Sequence, residues 1–237
     1  LHGIREANIK KGDTLINPRH LENGQIKQFD RVIANPPYSL RNWGHDIAEK
    51  DIFRRYKYGI PPKHSGDFAF IQHMIASLNE NGIMAVLVPN GVLFKSGLEG
   101  EIRKEIVKKD LIEAAIALPK GLFDWTGIHA SILIINKNKP KNKKSKVLFI
   151  DASHEFEKGK YKNYLREDDI ENILKAFDKF KEEEFFSKIK TIDNLEANDF
   201  NLSVKKYINA SPESKQIARL QIQYKNYKRV PLSDLTN

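Results

Sequence analysis

An α/β fold, a parallel sheet flanked by helices, is predicted by three observations. Apolar runs bounded by Gly, Asn and Pro recur along the 237 residues, helical periodicities lie between them, and a rigid Asn35-Pro36-Pro37-Tyr38 turn directly follows the run Val32-Ile33-Ala34. A strand that ends in such a turn places it at the mouth of the sheet.

The strands are read over residues 29–34, 82–88, 111–118, 130–136 and 146–151, with a short one over 8–12 before them. Phe68, Ile71, Met74, Ile75 and Leu78 repeat at three- and four-residue spacing behind Asp67, which describes an amphipathic helix. Ile102 and Ile106 against Arg103, Lys104, Lys108 and Lys109 give a second helix with a solvated basic face. The runs 130–136 and 146–151 read as an antiparallel hairpin at one sheet edge. Six of the ten residues 137–146 are Lys, a solvated tip for that hairpin. Ile170, Ile173, Leu174, Phe177 and Phe180 mark another helix, and the pattern weakens between 187 and 208. Ser211-Pro212 reads as a helix start, after which Ile217, Leu220, Tyr224 and Tyr227 share one stripe, facing the core or another subunit.

Charge and composition narrow the function. A formal charge of +9 favours polyanionic partners, because Lys and Arg release counterions on meeting phosphates. With no Cys, thiolate catalysis and Cys-ligated zinc are excluded, and a cytoplasmic setting is expected. His45, His64 and His73 lack a tight ligand pair, so no metal site is expected. No run is long enough to span a membrane. The start, Leu1-His2-Gly3, lacks an initiator Met, which leads us to expect that the chain begins inside a longer protein.

The tetrapeptide suits one chemistry. An exocyclic adenine amine is a poor nucleophile, since its lone pair is delocalised into the ring. The Asn35 side-chain oxygen and the Pro36 carbonyl are two acceptors that together could take both amine hydrogens and stabilise the cation that develops. Two prolines fix two φ angles, so the carbonyl direction is set in advance. Tyr38 can stack on a base at about 1–3 kcal/mol. A base in a duplex must first be flipped out. No general base is required, because a methylated, cationic nitrogen loses its proton to water.

Through Gly12-Asp13-Thr14-Leu15, the segment from Phe29 to Leu40, Asp67 to Met74, Val88 to Phe94 and Thr126 to His129, the chain resembles the modification subunit of type I restriction-modification systems. That family comprises N6-adenine DNA methyltransferases. The resemblance implies a Rossmann-like class I methyltransferase sheet, S-adenosyl-L-methionine as cofactor, double-stranded DNA as substrate, and specificity and restriction subunits as partners. It implies Asn35, Pro36, Pro37 and Tyr38 at the target base, Asp13 on the cofactor's adenine with Leu15 beside it, and His64 and Ser65 near the target. Asn90, at another strand end, either faces the same crevice or bridges loops. Residues 1–208 would form a partial catalytic domain and 209–237 a C-terminal helical segment.

The family's glycine-rich cofactor loop has no counterpart here. In the resembled fold the first two strands would lie between the strand at Asp13 and the strand at Asn35, so the chain would lack the middle of its sheet, and normally central strands would present unpaired backbone and apolar faces. The first 25 residues are then expected to be disordered or repacked, or a second copy to cover the edge. The chain alone is expected to be inactive and to bind cofactor weakly. Two other functions compete: methylation of protein glutamine or ribosomal RNA, and a non-catalytic DNA-binding remnant.

Overall fold

In this computed structural model, residues 6–123 and 129–208 are described. In chain order the elements are β1 (Leu21–Glu22), β2 (Gln25–Ile26), β3 (Phe29–Ala34), α1 (His45–Ala48), α2 (Asp67–Ala76), β4 (Leu78–Pro89), α3 (Gly91–Phe94), α4 (Leu98–Lys108), β5 (Ile112–Ala117) and β6 (Ala130–Asn136). They continue with β7 (Lys146–Asp151), β8 (Glu157–Lys158), β9 (Asn163–Tyr164), α5 (Glu167–Lys179), β10 (Ser187–Thr191), α6 (Ile192–Glu196) and α7 (Val204–Tyr207). The helix expected over 209–237, with its Ser211-Pro212 start and Ile217 to Tyr227 stripe, lies outside the described residues.

Six strands form one sheet in the order β10-β7-β5-β6-β4-β3. The sheet is mixed: β3 with β4 and β5 with β7 run parallel, while β6 runs antiparallel to β4 and β5, and β10 to β7. The α/β class holds, and one edge is antiparallel through β10 against β7, a strand not expected there. The pairing within it is different, because β5 lies between β6 and β7, so those two runs form no hairpin. The sequence of β5 explains the place it takes. All six residues, Ile-Glu-Ala-Ala-Ile-Ala, are buried, the near-continuous burial of a strand covered on both faces.

The Lys-rich segment is likewise no free tip. Lys139 is 3% exposed, pairs with Asp110 and donates to the carbonyls of Ile112 and Lys146. Lys143 pairs with buried Glu113 at 2.7 Å and sits over the rings of Phe177 and Phe180. Lys137 donates to the Leu78 carbonyl. Sequence spacing misses this, since long stems let an ammonium travel to carbonyls across the sheet. Arg103 corrects the picture of α4 in the same way: it is buried and donates to the carbonyls of Lys95 (2.7 Å) and Phe200 (2.9 Å).

Helices α2 and α4 cover one face through Phe68, Ile71, Met74, Ile75, Ile102 and Ile106; α5 covers β5 and β7 on the other through Ile173 and Ala176. At the far end β3 is an edge strand, and its Ile33 is 86% exposed. No strand forms over 8–12; those residues are exposed and have no ladder to join. Leu15 is nevertheless anchored, in a cluster with Trp43, Ala48 and Ala69.

Candidate active site

Because β3, β4, β5 and β7 point the same way, Asn35, Asn90, Leu118 and Ala152 all follow strand ends on one rim. Ligands of open α/β sheets bind outside that rim. On it, Asn35 and Pro37 are exposed while Pro36 and Tyr38 are half-buried. No hydrogen bond engages the Asn35 carboxamide among the described residues. Burial, and secondarily the Asp67 carboxylate, push the Tyr38 hydroxyl above its ordinary range, so it stays neutral.

The turn is moored from below. Ser39, at φ 49°, donates its backbone N–H to Asp67 Oδ1 at 2.7 Å. Asp67 opens α2 and is buried. Its other oxygen lies 3.2 Å from the Ser65 hydroxyl, which is 2.9 Å from Glu99 Oε1 on α4. One hydroxyl proton serves two carboxylates, and the shorter contact marks Glu99 as its main acceptor. Lys95 adds a cation 3.7 Å from Glu99. The line Ser39-Asp67-Ser65-Glu99 thus ties the turn to the first residues of two core helices.

A second mooring holds Thr14 and Leu15. Arg55, 3% exposed, donates to the carbonyls of Thr14 (3.1 Å) and Leu15 (2.7 Å) while its Nη2 pairs with Asp51 at 2.9 Å. Burial alone would raise the Asp51 carboxyl, yet its bonds to Arg55 hold it below its ordinary value. Arg55 Nη1 lies 3.2 Å from His73 Nδ1, and His73 Nε2 lies 3.1 Å from Thr14 Oγ1. Since guanidinium only donates, Nδ1 must be the bare nitrogen and Nε2–H faces the hydroxyl. Burial first, and Arg55 second, lower His73 to about 4. Both moorings end on α2, at Asp67 and His73, which are ~9 Å apart along its axis.

The predicted residues take different places. Asp13 is exposed; its Oδ1 accepts from the N–H groups of Leu15 (2.9 Å) and Ile16 (3.0 Å), while Oδ2 has no partner among the described residues. Leu15 is buried, so it supports the turn from inside rather than lining a surface. His64 is exposed, but Ser65 beside it is 1% exposed and committed to the carboxylates, out of reach of a polyanion. Asn90 accepts from the Ser131 hydroxyl at 2.7 Å, and its N–H bonds the His129 carbonyl, so it bridges β4 to β6 on the same rim. Sequence reasoning missed Arg55 and Glu99, which bond the Thr14 and Leu15 carbonyls and the Ser65 hydroxyl across more than thirty residues.

Residues 1–216 match the family model described as N-6 DNA Methylase. The type I restriction enzyme MjaVII methylase subunit of Methanocaldococcus jannaschii is 38% identical over 228 residues, 92% of this chain and 38% of that protein. The MpnII methylase subunit of Mycoplasma pneumoniae is 34% identical over 92% of this chain and 41% of its own length. The crystal structure of a type I restriction-modification methyltransferase subunit from Streptococcus thermophilus superposes with a TM-score of 0.75 at 33% identity, covering 84% of this chain and 41% of that one. This chain therefore spans less than half the length of these relatives.

Proposed function

The chain belongs to the N-6 DNA methylase family, and from that premise we propose that it carries the target-base side of a type I modification subunit that methylates adenine N6 in double-stranded DNA. The observation that carries this is the Asn35 carboxamide, exposed on the rim with no hydrogen-bond partner among the described residues, beside a carbonyl fixed by two prolines. The names of the relatives support DNA over protein glutamine or ribosomal RNA.

S-adenosyl-L-methionine would supply an electrophilic methyl group on a cationic sulfur. Asp13 suits its adenine end, because Oδ1 shapes the turn and Oδ2 is left to accept an amine proton. The described residues provide no glycine-rich turn for the rest of the cofactor.

A flipped adenine would stack on Tyr38 and donate its two N6 hydrogens to Asn35 Oδ1 and the Pro36 carbonyl. Withdrawn from the ring, the nitrogen lone pair would form the new N–C bond as the methyl–sulfur bond breaks and its electron pair stays on sulfur, leaving a neutral thioether, and both oxygens would stabilise the cation on nitrogen. The nitrogen then releases a proton to water. His73 takes no part as a base, being held neutral between Arg55 and Thr14. Specificity and restriction subunits of the same system are the proposed protein partners. Helices of the described residues include none long and apolar enough to cross a membrane.

Asn35→Ala in the intact protein should lower methyl transfer to duplex adenine by roughly 100- to 1000-fold. Retention of near wild-type transfer would contradict the reading. The 237-residue chain alone should bind S-adenosyl-L-methionine weakly, and micromolar affinity by calorimetry would overturn that expectation.

A further inference from the structure

Beyond the base-holding turn, the same rim carries a second feature. The β8–β9 hairpin leaves β7 at Asp151 and is fastened to the loop after β5: Asn163 donates its backbone N–H to the Gly121 carbonyl and its side-chain amide to the Lys120 carbonyl, both at 2.8 Å. Its turn is tight. Gly159 N–H bonds the Lys162 carbonyl, and a Cβ there would come within 2.4 Å of that oxygen, so glycine is required. The hairpin thus has a fixed shape.

What it displays is cationic and aromatic. Between Glu157 and Arg166 there are four basic residues against one acid. Arg166 is engaged by Asp169, Glu157 accepts from the Tyr164 hydroxyl, and Lys158 and Lys160 are exposed on either side of the turn glycine. Tyr161 is 88% exposed, with the Lys160 ammonium 5.3 Å from its ring centre. Lys120 and Lys205 extend the positive rim toward His129, which, being partly buried and facing both, is held below its ordinary value. An exposed tyrosine among lysines, on a braced hairpin, is poorly explained as a merely solvated face. Aromatic rings interleaved with cations are what a nucleic-acid backbone engages.

We propose that the β8–β9 hairpin is a second contact to the DNA duplex, with Lys158 and Lys160 on phosphates and Tyr161 against the backbone or groove wall. This rests on the DNA reading above. The sheet gives its position: β3 and β7 are four strand spacings apart, ~19 Å at about 4.8 Å each. For a duplex laid along the rim, with a rise of about 3.4 Å per base pair, the root of the hairpin falls roughly five to six base pairs to one side of the flipped adenine.

The test uses the intact protein assembled with the specificity subunit of its system, and a fluorescent duplex with one target adenine. In Lys158→Gln/Lys160→Gln, the slope of log affinity against log salt should shrink by about 1.8, with binding at ~0.1 M salt falling at least tenfold. Tyr161→Ala should weaken binding a few-fold without altering that slope. Trimming the duplex to four base pairs on the relevant side should weaken the wild type and leave the double variant unaffected. Unchanged slope and affinity in both variants would overturn the proposal, as would loss of binding to a protein subunit with DNA binding intact. Wild type that neither binds nor methylates this duplex would instead sink the DNA reading itself; methylation lost in Asn35→Ala but hairpin variants behaving as wild type would sink the hairpin alone.

Discussion

The turn at Asn35 and the clamp at Arg55 are opposite solutions to the use of polar groups. Asn35 is exposed and its amide is unengaged among the described residues, whereas Arg55 is buried and its guanidinium meets two carbonyls, a carboxylate and an imidazole. The difference teaches where stability and chemistry reside. On the proposed function, the group that meets the substrate keeps its hydrogen-bonding capacity open, at little benefit to the fold. Groups that aim it are satisfied internally, and removing one leaves a buried charge stranded.

The comparison would break first at Arg55. Arg55→Ala leaves Asp51 buried without its cation and should destabilise the protein by about 3–5 kcal/mol in denaturant titration. A loss below ~1 kcal/mol would mean that the clamp is ornamental.

His73 sharpens the same point through pH. Its folded value of about 4 lies below the ordinary 6.5, so the unfolded chain binds the proton more readily. Stability from this group is therefore present above pH 6.5 and lost as pH falls toward 4, by up to roughly 3 kcal/mol. His73→Gln should flatten the stability profile over that window in thermal melts.

Asp67→Ala comes next. It strips an acceptor from Ser39 and should cost roughly 1–3 kcal/mol. Because the Asn35 turn loses its mooring, kcat should drop as well, while Asp67→Asn, which keeps a carbonyl oxygen for Ser39, should recover much of it.

How much of this was legible follows from where each signal lies. The strands at 29–34, 130–136 and 146–151 appear with the expected bounds because each contains a compact apolar run. Strand β10 escaped notice, since Ser-Lys-Ile-Lys-Thr offers one apolar residue to a sheet edge. The place of β5 between β6 and β7 depends on long-range pairing that no local pattern encodes. The Asn35 turn was readable from four adjacent residues. Arg55 was not: it sits among Arg54, Tyr56 and Lys57 in a polar stretch, and its carbonyl partners are about forty residues away in the chain. Local chemistry is written in neighbours, and its support in distant contacts.

The most direct measurement pairs methyl transfer with thermal unfolding for Asn35→Ala in the intact protein. The account predicts transfer reduced at least ~100-fold with stability within about 0.5 kcal/mol of wild type. Near-normal transfer, or a collapse in stability to match the lost activity, would contradict it.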